Sequence, residues 1–398
     1  MVAADTRVPT VALQGVLVPQ SAINPEAFFG RTRRLRLRQD QFAHPGAGGT
    51  YRGSIRQVGI IAGIWLTFSG SVTVTLGGGT AATTNRWPYD LVRNLRFSAN
   101  GQSNLINLSG WNLKARECMA RSDHNDRGVS RGIGGASPGT ATTQGTLSLA
   151  NENWGLGQNV TAIVGAPTVY PVELEYFVPV AHDKVDLTGA IFAQTSSTDL
   201  ALEIDFATQA EITTLTGAAT APVTGTWTVE AEVYTIPQGG DGQIVVPNLD
   251  VFHSIIQTRF ANPSNGMNEL RLAGQGVGRS LQRLWFRTWN GAVPAPLAMN
   301  ATNYQSAGWR YGGNDTPEVY GSGKTLAYWD EDLFGVDFAQ AQGFGLFDWC
   351  SEFAFRDAVD EGSATELRLL LEYPSGLSLT SPFVEYVQET LFAGSVGA

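Results

Sequence analysis

The chain has 398 residues, 43% of them hydrophobic, enough for one large core or two ordinary ones. Only 16% are charged, against about 25% in a typical soluble domain, which points to a surface that meets other protein. The net charge of −10 argues against general nucleic-acid binding, because phosphate contact needs concentrated Lys and Arg.

Residues 1–45 read as an N-terminal arm. Met1 to Thr10 has no apolar core of the secretory kind, so synthesis in a reducing cytoplasm is expected. Within the arm lie Arg31, Arg33, Arg34, Arg36 and Arg38. Residues 1–60 carry eight arginines against three acids, a charge of +5 that leaves −15 on the remainder. That asymmetry gives the arm its own partner. In extended chain Arg34, Arg36 and Arg38 share one face. Such a stripe can meet an anionic membrane, at about 1 kcal/mol per residue near the surface. It can instead meet nucleic acid or acidic faces of sister subunits. The plain alternative is a solvated edge strand whose charge blocks aggregation.

Next comes the longest apolar run, Val58 to Phe68. It is short of the roughly 20 residues a transmembrane helix needs and reads as a buried strand. Ser71–Leu76, Leu200–Phe206 and Thr226–Tyr234 alternate with period two and are rich in Thr, Val and aromatics. Residues 128–147, rich in Gly, Thr and Ser, read as a long surface loop. Helical periodicity is confined to Asn248–Arg259 and Pro382–Phe392. The expected class is all-β, a sandwich or jelly roll.

Two echoes recur near half-length. Leu91–Gly101 resembles Leu281–Gly291, and Glu173–Tyr176 resembles Leu370–Tyr373. They point to a duplicated β unit, divided near the turn formers of Pro237–Gly242.

Catalytic and metal patterns fail on inspection. Gly321-Ser-Gly-Lys-Thr325 ends like a phosphate-binding loop, but Glu318 stands where the loop needs glycine. Glu203 and Asp205 fall on one strand face, as do Glu173 and Glu175, and neither pair supplies the opposed carboxyls of a glycosidase. Asp123–Gly128 begins like a calcium loop but has Arg127 and Gly134 at ligand positions. His44, His124, His182 and His253 show no ligand spacing. Cys118 and Cys350 are too few for a disulfide framework, though one bridge between them is open. Trp285, Trp289, Trp309, Trp329 and Trp349 fit core or interface packing better than a glycan platform. The expectation is no enzyme, no cofactor and no metal.

Longer segments carry a family resemblance. Asp90 to Lys114 resembles the early strands of the first roll of tectivirus major capsid proteins. Tyr176-Phe-Val-Pro, followed by Asp186-Leu-Thr-Gly-Ala190, is similar to another stretch of that roll. Gly242–Asp250 is similar to the link into the second roll, and Leu367–Tyr373 to a late strand of it. The N-terminus departs, being short and Arg-rich where the family often has a longer helical arm.

The resemblance implies two tandem eight-stranded jelly rolls, a double jelly roll, with short helices and an N-terminal arm. Residues 46–237 would be the first roll and 238–398 the second with a C-terminal segment. It implies a major capsid protein of a membrane-containing double-stranded DNA bacteriophage. Its homotrimers would tile an icosahedral shell against neighbouring trimers and vertex and minor capsid proteins. Trp and Arg would anchor faces of more than about 2,000 Å². The arm, with Arg31, Arg33, Arg34, Arg36 and Arg38, and the segment Pro382 to Ala398 would lie at the inner base, where contact with the internal viral membrane is open. No sequence-specific nucleic acid is expected. The alternatives are a carbohydrate-binding jelly roll and a vertex or receptor-binding virion protein.

Overall fold

The computed structural model describes residues 10–13, 16–19, 28–84, 86–99, 102–119, 167–183, 186–194, 199–237, 246–247, 249–272, 279–292, 294–312, 315–334, 343–350, 358–360 and 366–393. Eight strands in its first half form two facing sheets. In chain order they are β1 (Arg34–Ala43), β2 (Thr50–Ser54), β3 (Ile60–Val74), β4 (Val92–Ala99), β5 (Gln102–Leu108), β6 (Thr168–Val178), β7 (Leu200–Phe206) and β8 (Val223–Tyr234). One sheet runs β1-β8-β3-β6 and the other β2-β7-β4-β5. That interleaving is the strand order of a jelly roll.

The second half repeats it. Its strands are β9 (Val251–Ala261), β10 (Gly266–Arg271), β11 (Arg279–Asn290), β12 (Ser306–Tyr311), β13 (Asp315–Tyr320), β14 (Phe344–Asp348), β15 (Leu367–Tyr373) and β16 (Phe383–Ala393). The sheets run β9-β16-β11-β14 and β10-β15-β12-β13, the same order counted from the start of each roll. The rolls are fused: β9 pairs in parallel with β5, Ile255 opposite Ile106, so one sheet passes from the first roll into the second.

Alternation builds each core. Leu66, Phe68, Trp227, Val229, Leu174 and Tyr176 point inward from one sheet to meet Leu95, Phe97, Leu202 and Ile204 from the other. In the second roll Leu284, Phe286 and Val384 meet Trp309, Leu369, Leu371 and Tyr373. Burial of each such side chain is worth roughly 1.5–3 kcal/mol. A third cluster, with Phe28, Ile60, Phe192, Tyr234 and Leu249, ties the segment before β1 to the link between the rolls.

Four expectations change. The helical periods expected over Asn248–Arg259 and Pro382–Phe392 fall, over Val251–Arg259 and Phe383–Phe392, on the adjacent strands β9 and β16. Each is covered over much of both faces, and such strands lose the alternation that marks a half-exposed one. The two longest helices among the described residues are α1 (Gly110–Met119) and α2 (Gly323–Phe334), whose sequences carry little apolar periodicity. Residues 34–43 are not arm but the edge strand β1, paired to β8 along its length. Phe383–Ala393 is likewise no basal tail, since β16 sits between β9 and β11. The half-length echoes match unlike strands: Leu91–Gly101 covers β4, the fourth strand of its roll, while Leu281–Gly291 falls on β11, the third. Glu173–Tyr176 lies on a sixth strand and Leu370–Tyr373 on a seventh. The duplication is in the topology, and these sequence matches do not record it.

Candidate functional site: the seam between the rolls and the basic sheet edge

One face of the β9-β16-β11-β14 sheet packs on the second core. The other mixes charged and apolar side chains and is turned toward the first roll, whose core takes in Ile255, Trp285, Phe344, Leu346 and Val387. Register places four rows across it: Ile255, Glu389, Arg283 and Asp348; Gln257, Val387, Trp285 and Leu346; Arg259, Glu385, Arg287 and Phe344; Ala261, Phe383 and Trp289. A free sheet would show these groups to water. Here α1 and the segment before β4 lie over them.

Each row has a partner from the first roll. Arg116 of α1 donates to Glu389 Oε1 at 2.7 Å and to the carbonyl of His182 at 2.8 Å. Arg283 bridges Asp348 at 2.7 Å and Glu389 at 3.4 Å. His253 lies 2.9 Å from both Glu389 Oε1 and the Pro179 carbonyl. In the next row Asn112 donates to Gln257 at 2.9 Å and accepts from the Trp285 indole at 2.9 Å. In the third, Arg86 meets Glu385 at 3.3 Å and Asp90 at 3.4 Å. Trp289 also donates to Glu385, at 2.7 Å. The Arg287 guanidinium sits between rings, 4.3 Å from the Trp111 centroid and 4.1 Å from that of Trp289. Its Nε and Nη2 have no hydrogen-bond partner among the described residues, so ring faces replace them.

Burial sets the electrostatics. Glu389 is fully buried, which alone would raise its pKa, but Arg116 and Arg283 hold it well below the carboxylate range. It is the anion on which the cluster turns. Asp90 goes the other way: burial raises its pKa to about 7 against the pull of Arg86 and Arg287. Burial lowers Arg287 to about 9, short of neutralising it at pH 7. Burial pushes His253 toward its neutral form, and Glu389 pulls it back. Removing one partner from a buried cluster of this kind costs about 3–5 kcal/mol, because a charge is left unpaired.

The arginines singled out from the sequence lie elsewhere, at the far edge of the first roll. Arg31, Arg33, Arg34, Arg36 and Arg38 are all exposed. Arg34, Arg36 and Arg38 stand on one face of β1, opposite Tyr234, Glu232 and Glu230 of β8. Arg36 pairs with Glu230 at 2.5 Å and lies 4.7 Å over the Trp65 ring. Arg38 donates to Gln41. The stripe was legible from alternation, and the structure places it on the edge strand that was its plain alternative.

The remaining candidates resolve into structure. Glu203 and Asp205 share a face and are taken by Arg96, at 3.1 and 3.0 Å, with Arg52 at 2.6 Å from Glu203. The segment like a phosphate loop joins β13 to α2, and Glu318 in it accepts from the Trp309 indole at 3.1 Å. Cys350 is buried outside any disulfide, and its thiol is directed at Gln282. His44 accepts from the Trp227 indole at 3.0 Å, and burial lowers its pKa to about 4. Trp285 and Trp289 belong to the seam, Trp309 to the second core, Trp349 packs beside it, and Trp329 is half exposed. Asp123–Gly128 and residues 128–147 lie outside the described residues. Among the described residues no group of acids, histidines and cysteines is placed to hold a metal. Sequence reasoning missed the seam itself; its one signal was the spacing by four of Arg283 and Arg287 and of Glu385 and Glu389, among large hydrophobic residues.

Two rolls of identical strand order, fused through one sheet and a shared polar seam, define a double jelly-roll protein. Residues 39–232, which span the first roll from within β1, match the family model described as P3 major capsid protein N-terminal. The crystal structure of the major capsid protein of STIV superposes with a TM-score of 0.60 at 14% identity, covering 92% of this chain and 97% of that one. The atomic structure of Sulfolobus Turreted Icosahedral Virus gives 0.60 at 14%, covering 91% of each chain. PBCV-1 VP54, fitted into a reconstruction of the virophage Sputnik, gives 0.50 at 12%, covering 92% of this chain and 96% of that one. Identities this low carry the fold, and here they carry it over both rolls. Among curated proteins none matches the chain by sequence.

Proposed function

We propose that this protein is the major capsid protein of an icosahedral virus and that it acts by assembly, without catalysis. The observation that carries this reading is the fused pair of rolls, with the first roll's family match. Two similar rolls in one chain present six in a trimer, so a trimer has near-hexagonal outline and can tile a surface. The seam supports it: a buried ionic cluster fixes one roll against the other, as a tile of constant shape requires. The ion-paired Glu203 and Asp205, engaged by Arg52 and Arg96, favour a non-enzyme.

On this reading the working unit is a homotrimer that meets neighbouring trimers and vertex and minor capsid proteins in the virion of a membrane-containing double-stranded DNA bacteriophage. It would be made and assembled in the host cytoplasm. Residues 46–237 and 238–398 would be the rolls as inherited units, with β1 added to the first. The arginines at 31, 33, 34, 36 and 38 would contact a partner outside the chain: membrane, DNA or another subunit. Light scattering on the purified full-length chain tests the reading. A mass near 128 kDa, three times 42.6 kDa, is expected at two concentrations. A 42.6 kDa monomer at both would overturn it in favour of a carbohydrate-binding or vertex protein.

A further inference from the structure

The helices α1 and α2 hold equivalent places in the two rolls. Each follows the fifth strand of its roll, α1 after β5 and α2 after β13. Each packs on the sixth strand, β6 or β14. Each starts at a buried glycine, and Leu113 and Leu326 then enter the cores of their own rolls. Counted from the glycine, Trp111, Asn112, Ala115 and Arg116 correspond to Lys324, Thr325, Tyr328 and Trp329. The four in α1 are buried, and three of them reach the second roll. Trp111 stacks on Phe344 at 4.5 Å, Asn112 bonds Gln257 and Trp285, and Arg116 bonds Glu389. The four in α2 are exposed, Tyr328 by 52% and Trp329 by 49%. The side by which α1 docks is the side on which α2 meets water.

The surface that receives α1 has its own counterpart. By strand order the β9-β16-β11-β14 sheet corresponds to β1-β8-β3-β6 of the first roll. Trp65 of β3 is paired with Glu230 as Trp285 of β11 is with Val387. In each roll a buried glutamate, Glu232 or Glu389, follows on the same face of the eighth strand. On the other side of the Trp, Thr67 lies opposite Glu175 where Arg287 lies opposite Phe344. We propose that α2 docks on the first roll of a second copy of the chain as α1 docks on the second roll of its own. The inference rests on the shell-protein reading and names the contact that closes the trimer. Lys324, in the place of Trp111, then meets Glu175, in the place of Phe344. Trp329, in the place of Arg116, comes to Arg36, which lies across the Trp65 ring beside Glu232. A guanidinium and an indole stack well. Within the chain the Lys324 ammonium meets only the Tyr328 ring, at 5.2 Å, and no ion pair engages Glu175, among the described residues. The contact runs head to tail, helix of one copy on sheet of the next, so it closes into a ring. The seam within each chain and its copy between chains alternate around the six rolls of three chains.

Sedimentation equilibrium of the full-length chain tests this through the constant for trimer formation. Lys324→Glu sets acid against Glu175 at every contact of the ring, and Glu175→Lys sets base against Lys324. Each alone should lower the constant at least about tenfold. The chain carrying both reverses the pair and should return to within about threefold of the parent. Trp329→Ala should also cost at least about tenfold, as the loss of an aromatic anchor. Single variants that assemble like the parent, or a double variant no better than the singles, overturn the proposal. A trimer unmoved by all four changes overturns this contact and leaves the shell reading standing. A parent that stays at 42.6 kDa overturns both. Lys324→Cys/Glu175→Cys in the otherwise unaltered chain gives a second measure. A short bismaleimide should join its chains in threes and leave the parent unlinked. Chains of that variant that stay single under conditions where the trimer forms place α2 elsewhere and overturn the proposal.

Discussion

Asp90 shows how far one residue's chemistry departs from what its letter announces. Its carboxyl is buried beside Arg86 and Arg287, and desolvation outweighs both, raising its pKa from 3.8 to about 7. Between those values the folded chain holds a proton that the unfolded chain has released. Stability therefore falls as pH rises through that window. Asp90→Asn removes the titration. Its stability relative to the parent should improve by up to about 4 kcal/mol from pH 4 to pH 7, read by urea denaturation at a series of pH values. An unchanging difference across the window would show that Asp90 is already ionised at pH 4. At this scale the sequence told which face Arg34, Arg36 and Arg38 share, because alternation depends only on local geometry. It did not tell that Glu389 meets His253 and Arg116, residues 136 and 273 positions away.

At the scale of the element, α1 decides how the rolls meet. It is buried from Gly110 to Glu117, with Asn112, Lys114, Arg116 and Glu117 among its buried residues. A helix covered on every side needs no apolar stripe, which is why periodicity did not find it. Gly110 sets how closely it enters. A Cβ there would stand 2.3 Å from the Tyr89 carbonyl oxygen and 3.0 Å from the Tyr176 ring. Gly110→Ala should lower stability by about 1–3 kcal/mol through overpacking, measured by thermal melting. A melt equal to the parent's would mean the helix can retreat from Tyr89 without cost. The strands divide by exposure. Thr226–Tyr234 and Leu200–Phe206 alternate because one face of each looks outward, and both were read correctly. β9 and β16 carry a polar seam on one face and much of a core on the other, so the same rule misread them as helices.

For the whole molecule, the consequence of the seam is cooperativity. The sheet that runs through both rolls, the pairing of β5 with β9 and the Glu389 cluster leave little surface along which one roll can unfold alone. Calorimetry of the full-length chain should give one transition. Glu389→Ala leaves Arg116 buried without its carboxylate and Arg283 with Asp348 alone. It should cost about 3–5 kcal/mol and separate the transition into two. A single transition at the parent's midpoint would show that packing across α1, without the charges, holds the rolls.

The sequence by itself determined the class of this protein. Low charge and Thr- and Val-rich alternation were enough for an all-β chain, because inward and outward residues must alternate on a half-exposed strand wherever it lies, and the resemblance carried by Asp90–Lys114 and Tyr176–Ala193 implied two jelly rolls. The tertiary structure alone decided how the rolls hold together. Arginines in the expected arm became the edge of a sheet, and an expected tail became a strand between β9 and β11. Charges scattered from Asp90 to Glu389 became one buried cluster. Those are outcomes of long-range pairing, and a linear pattern of polar and apolar letters does not say which buried charge another will meet.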